Sequence, residues 1–133
     1  MATAQQQFTW GTGRRKTAVA RVRIREGTGQ FFVNELDVNV YFPLEVQRSD
    51  VRSPMAATDM GSRIDVFVNV KGSGKLSQSG AVMLGLARTL KEYRPDLYSA
   101  LRDGGFLTRD SRMVERKKFG HKKARKSFQF SKR

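Results

Sequence analysis

Residues 17–25 follow a period of two: Ala18, Ala20, Val22 and Ile24 stand at the even positions, and the odd ones include Arg21, Arg23 and Arg25. A repeat of two is that of a β-strand, whose successive side chains leave on opposite sides. This segment must therefore sit in a sheet with one apolar face turned to a core and one face carrying a guanidinium group at every second residue. Such a face suits a solvated antiparallel strand, and it equally suits a row of cations that meets an anionic partner.

The flanking pattern extends the sheet. Residues 8–10 predict a strand joined to the first by a bend or hairpin through Gly11-Thr12-Gly13-Arg14-Arg15-Lys16. Gly27-Thr28-Gly29 then turns into a third strand over residues 30–33, closed by Asn34, so the chain is expected to open as an antiparallel meander. Short helical stretches come next, over residues 37–42 and from Pro43 toward Arg52. Ser53-Pro54, as an N-cap with proline at the first helical position, predicts a separate helix near residues 55–60, stopped by Gly61. Ile64, Val66, Val68 and Val70 alternate as a strand. Val82, Leu86, Leu90 and Tyr93 form the stripe of a helix over residues 78–93, with Arg88, Lys91 and Arg94 on another flank. Pro95 begins a last short helix, with Leu97 and Leu101 one turn apart and Gly104-Gly105 as its stop. The expected fold is α+β: a mainly antiparallel sheet with helices on one face, in a body spanning residues 1–105.

Charge separates that body from the C-terminal end of the chain. The 133 residues hold 26 Lys and Arg against 12 Asp and Glu, a formal net charge of +14. Residues 1–111 contribute sixteen cations and eleven carboxylates, whereas residues 112–133 contribute ten cations and only Glu115. The final segment has too few apolar residues, in no sustained period, to offset the entropy of ordering. Residues 106–133 therefore read as an extended basic tail, disordered when free, whose cations neutralise phosphates and release counterions. Its Phe119, Phe128 and Phe130 could stack on unpaired bases or pack in a crevice of RNA or protein. These phenylalanines do not gather on one helical face, which argues against a membrane-surface helix.

Composition narrows the function classes. There is no Cys and one His, which removes disulfides and thiol catalysis and makes zinc sites improbable. No apolar run is long enough to span a bilayer and the first residues lack a secretory pattern, so a soluble, cytoplasmic chain without membrane partner is expected. Lys71-Gly72-Ser73-Gly74-Lys75 lies between a strand and a helix but lacks phosphate-loop spacing, leaving either a plain turn or amides that meet a nucleic-acid phosphate. The carboxylates show no acid–base pairing, and no enzymatic activity, cofactor, metal or small-molecule substrate is expected.

Several separate motifs, in order along the chain, carry a resemblance. They are Gly11-Thr12-Gly13-Arg14-Arg15-Lys16-Thr17, Tyr41-Phe42, Val70-Lys71-Gly72, Gly105-Phe106-Leu107-Thr108-Arg109-Asp110-Ser111-Arg112, Val114-Glu115-Arg116-Lys117-Lys118 and the terminal Gln129-Phe130-Ser131-Lys132-Arg133. Together they resemble bacterial-type small-subunit ribosomal protein nine over nearly the whole chain. The resemblance implies a body of the type shared with the second domain of small-subunit ribosomal protein five. It implies docking on small-subunit rRNA and neighbouring proteins in the head of the subunit, and a tail that reaches peptidyl-site tRNA through Ser131, Lys132 and Arg133. The sequence departs from the family's pattern at Phe128, where the family usually has proline, and in Leu76-Ser77-Gln78-Ser79-Gly80-Ala81.

On charge and resemblance together, the expected rRNA contacts are Arg14, Arg15, Lys16, Arg21, Arg23, Arg25, Lys71 and Lys75 in the body. Arg109, Arg112, Arg116, Lys117, Lys118, Lys122, Lys123, Arg125 and Lys126 are their counterparts in the tail. Two other readings are weaker: the small basic protein of a catalytic RNA, whose Arg-Asn-Arg signature is absent, and a phosphoryl-transfer enzyme, for which the glycine spacing is wrong.

Overall fold

A computed structural model describes residues 8–109. The chain forms β1 (Thr9–Arg15), β2 (Ala18–Glu26), β3 (Phe31–Val33), β4 (Leu36–Asp37), α1 (Val38–Tyr41), α2 (Glu45–Thr58), β5 (Ile64–Lys71) and α3 (Lys75–Tyr93). A single 3₁₀ turn (Pro95–Leu97) then leads into α4 (Tyr98–Asp103). The α+β class is as expected, but the sheet is mixed, in the order β1-β2-β5-β3-β4.

The opening meander is thereby corrected. β3 does not lie beside β2; it pairs in parallel with β5, aligning Phe31 with Val66 and Val33 with Val68, while β5 takes the place beside β2 in antiparallel register. A parallel partner needs a long crossover, and α1 and α2 supply it. Asn34, at φ +49, extends this pairing through its side chain: its amide donates to the Val70 carbonyl and its Oδ1 accepts the Val70 N–H, both at 2.9 Å.

The glycines of the first motif also behave differently. Gly11 and Gly13 lie inside β1, and the hairpin turn is Lys16-Thr17, with Lys16 at φ +51. A Cβ at Gly13 would fall on the Ala81 carbonyl and the Gly85 backbone, and one at Gly11 on the Thr89 hydroxyl. The two glycines thus let β1 rest directly on α3, backbone against backbone.

Helix α2 is one unbroken helix through Pro54, not two. Pro54 has no N–H for the Asp50 carbonyl, a loss that usually breaks a helix. It is buried beside Val51 and Met55, however, and tertiary packing holds the turn. The helix ends at Asp59, which takes the left-handed conformation at φ +56 ahead of the expected Gly61. Helix α3 starts three residues before its expected position.

The core joins Ala18, Ala20, Val22 and Ile24 of β2 with Ile64, Val66, Val68 and Val70 of β5. Val82, Leu86 and Leu90 of α3 pack onto them, with Val51 and Met55 of α2. All four β2 residues are fully buried, as the alternation requires. Phe106 and Leu107, past the glycine pair, still pack half-buried on this core. No described helix is long and apolar enough to cross a membrane.

Candidate nucleic-acid interface

The face of the sheet away from α3 is built by three registers. Trp10 aligns with Arg23, Arg23 with Phe67 and Phe67 with Phe32, so four strands contribute one continuous row. The neighbouring rows bring Arg25 opposite Asp65, Arg21 opposite Asn69 and Thr12, and Val19 opposite Arg14 and Lys71. The face therefore carries Arg14, Arg21, Arg23, Arg25 and Lys71, with Asp65 and, beside Phe32 at the β4 edge, Asp37 as its acids.

Rings hold the central cations. The Arg23 guanidinium carbon lies 4.8 Å from the Phe8 ring centre, 5.2 Å from that of Phe67 and 5.6 Å from that of Trp10. Arg25 sits 5.0 Å from Phe67 and 5.7 Å from Phe8. Phe67 and Phe32 stack at 5.9 Å with planes 17° apart. Such contacts orient a guanidinium while leaving its charge for a partner.

Asp65 has a structural task. Its Oδ1 accepts N–H bonds from Thr28 at 3.0 Å, Gly29 at 3.2 Å and Gln30 at 3.0 Å, and Arg25 Nε lies 3.5 Å from Oδ2. Burial alone raises the carboxyl's pKa, but these N–H bonds and the Arg25 charge outweigh it and hold the group below its ordinary 3.8. Gly27 belongs to the same knot, since a Cβ there would strike the carboxylate.

The expected contact residues separate into groups. Arg14, Arg21 and Lys71 are exposed on the open face, and their side chains make no hydrogen bond or ion pair among the described residues; Arg23 and Arg25 are half-buried beside them. Arg15 faces the other way, laying its stem over Gly80 of α3. Lys16 occupies the hairpin turn, and Arg109 is exposed at the end of the described chain.

Lys75 is engaged elsewhere. Its Nζ donates to the Tyr41 carbonyl at 2.8 Å and stands 3.4 Å from the Tyr41 ring centre. The Gly72 loop is held from within by Gln78, whose amide donates to the Gly72 carbonyl at 3.1 Å and whose Oε1 accepts the Tyr41 hydroxyl at 2.6 Å. The loop thus reads as a strand-to-helix turn. Arg112, Arg116, Lys117, Lys118, Lys122, Lys123, Arg125, Lys126, Ser131, Lys132 and Arg133 lie outside the described residues.

Sequence reasoning passed over Trp10, Phe32 and Phe67 as surface residues. Their signal was present, because each occupies the polar phase of its strand. Placing Phe67 beside Arg23 required β5 next to β2, the pairing the expected meander denied.

At the Asn34 end of this face, Val19, Arg21, Asn34, Asn69, Val70 and Lys71 line an open cleft of about 500 Å³. The described residues contain no group of three or more His, Cys, Asp or Glu placed to hold a metal. What the face offers is fixed positive charge and aromatic surface, the two features that bind a polyanion with stacked bases.

Comparison with known proteins agrees with that chemistry. A small ribosomal subunit protein uS9 from Borreliella afzelii is 54% identical over 126 residues, covering 95% of this chain and 93% of the relative; one from Borrelia garinii subsp. bavariensis matches equally. Arabidopsis thaliana has a small ribosomal subunit protein uS9m that is 52% identical over 124 residues, of whose length this chain spans 29%. The family model described as ribosomal protein S9/S16 matches residues 13–133, so the resemblance seen in scattered motifs extends along the chain, which belongs to the ribosomal protein S9/S16 family.

Proposed function

We propose that this chain is a structural constituent of the small ribosomal subunit, binding small-subunit rRNA through the open face of its sheet and through its basic tail. The observation that carries this reading is the excess of five cations over two carboxylates on that face, with Asp65 already committed to the Gly27 turn and Asp37 capping α1 through the Asn39 N–H. A member of this family of structural ribosomal proteins is not an enzyme. Residues 1–105 act as the docking body, placed in the head beside other proteins of the subunit. Residues 106–133 act as the tail, with Ser131, Lys132 and Arg133 reaching peptidyl-site tRNA. The place of work is the ribosome, in the cytoplasm.

The mechanism is electrostatic and geometric. Lys and Arg neutralise phosphates that would otherwise repel one another, and the counterions released drive association. Phosphate contacts set register without reading sequence. The rigid sheet keeps its cations at strand spacing, so they meet a fixed run of backbone, whereas the tail can follow a path between RNA segments.

The test of the body uses Arg14, Arg21 and Lys71, because replacing Arg23 or Arg25 would disturb the aromatic row or the Asp65 knot. Changing all three to Glu should sharply reduce co-sedimentation with small subunits at moderate salt while the far-ultraviolet circular dichroism stays unchanged. Normal incorporation would return this face to a solvated role. With Gln instead, the slope of log K against log salt for an rRNA fragment should fall in magnitude by about two to three, at roughly 0.7–0.9 per lost phosphate contact. The test of the tail is deletion of Lys132 and Arg133. Peptidyl-site tRNA should then bind small subunits a few-fold to about a hundredfold more weakly, with subunit content of the protein normal, since each lost charged contact is worth on the order of 1–3 kcal/mol, less where solvent screens it. Unchanged tRNA dissociation would remove the tRNA contact from the proposal.

A further inference from the structure

The row Trp10–Arg23–Phe67–Phe32 does more than a phosphate clamp requires. A surface that binds only backbone phosphates needs cations on flexible stems, as Arg14, Arg21 and Lys71 provide. Here the middle of the face is ring surface, with the guanidinium of Arg23 held among Phe8, Trp10 and Phe67. Trp10 is the largest of these rings, keeps 53% of its surface exposed, and lies on the strand that forms one edge of the sheet. An exposed indole beside a fixed guanidinium offers two planar groups on which nucleobases stack.

We infer that this face binds an unpaired stretch of RNA, with a base stacked on Trp10 and the backbone led along Arg23 and Arg21 toward the cleft beside Lys71. The inference rests on the rRNA-binding reading above and names which form of RNA that site takes. Charge selects a polyanion over an apolar peptide, since Arg23 and Arg25 lie against the rings and Arg21, Arg14 and Lys71 continue along the same face. Shape then selects single strands over duplex, because a duplex turns phosphates outward and keeps its bases stacked inside. At the far end, the cleft of about 500 Å³ adds Asn69, an exposed amide able to meet a base edge, between the Arg21 and Lys71 cations. Asn34 is committed to the Val70 backbone and forms the cleft's wall.

Trp10 is the chain's one tryptophan, so its emission reports on the site directly. The experiment titrates the full chain, at about 0.3 M salt to weaken phosphate-only binding by the tail, with an end-labelled twelve-nucleotide single-stranded RNA and with a duplex of the same length. Anisotropy of the label measures association, and tryptophan emission measures stacking. Expected are strong quenching that saturates together with anisotropy for the single strand, and little quenching at equal occupancy for the duplex. Trp10→Leu should weaken single-strand binding roughly five- to fiftyfold, with duplex binding within about twofold and an unchanged circular dichroism spectrum. Association of both RNAs without quenching would overturn the stacking inference while leaving rRNA binding in place. Absence of association with either would count against the rRNA-binding reading itself. Emission unmoved by RNA, but shifted to the blue by small-subunit proteins without RNA, would overturn the inference in favour of a protein neighbour.

Discussion

The two faces of β2 are one residue apart in sequence and opposite in design. On the inner face Ala18, Ala20, Val22 and Ile24 are fully buried and grow in size along the strand. The gradient follows the helix above. Ala20 lies beside Gly13 where the backbones of β1 and α3 touch, Val22 meets a Cβ placed at Gly85, and Ile24 fills the space beyond, beside Thr9. On the outer face the arginines are spaced just as regularly, but rings hold Arg23 and Arg25, Asp65 holds Arg25 as well, and Arg21 stands exposed. The inner face is specified by volume, with little tolerance; the outer face is specified by charge and ring surface and leaves both open to solvent.

The most disruptive way to test this contrast is to enlarge the contact at Gly13. Gly13→Ala should cost more than the ~1–3 kcal/mol of ordinary overpacking, because the added carbon meets backbone that cannot rotate away. Urea unfolding of the variant measures it, and a loss below about 1 kcal/mol would mean that β1 and α3 are not in backbone contact. Next comes Ile24→Ala, expected to lose ~2–5 kcal/mol by transfer and cavity terms, again from the urea midpoint.

On the outer face Asp65 should behave unlike its neighbours. Asp65→Ala leaves the Thr28, Gly29 and Gln30 N–H groups without their acceptor, at about 1–3 kcal/mol. The carboxyl's pKa is lower in the folded chain than its ordinary value of 3.8, so the stability it contributes is full above that value and is lost as pH falls through the folded pKa. Between pH 5 and pH 2 the unfolding free energy of the parent should therefore fall further than that of Asp65→Asn. Parallel acid dependence of the two would show that the carboxylate is not what pins the turn. Smallest of all, Arg21→Gln should change folding stability by no more than about 0.5 kcal/mol, as for an exposed side chain without an internal partner. A larger loss would make Arg21 part of the fold and remove it from the docking surface.

Much of the fold was legible because the signals were local. The β2 and β5 alternations, the α3 stripe and the αL glycine after α4, Gly105 at φ +75, each follow from side-chain period or backbone freedom within a few residues. Two local signals misled for the same reason. Gly11 and Gly13 read as turn residues, and Ser53-Pro54 as a helix start, because isolated peptides would use them so. In the folded chain the first pair is needed for contact with α3, and Pro54 is carried by burial. The candidate site was half visible: its cations could be counted, but Arg15 and Lys75 could not be told from Arg14 and Lys71.

Period and charge along the chain were enough to show which residues go inward on each strand, that the body is α+β, and that its excess of cations suits a polyanion. The order β1-β2-β5-β3-β4, the parallel pairing of β3 with β5 and the meeting of Trp10, Arg23, Phe67 and Phe32 belonged to the tertiary structure. Periodicity is a property of one strand and is satisfied by any neighbour of matching phase. Choosing the neighbour depends on contacts between residues more than thirty positions apart, such as Asn34 with Val70 and Asp65 with Gln30, whose energies appear only once the crossover has closed.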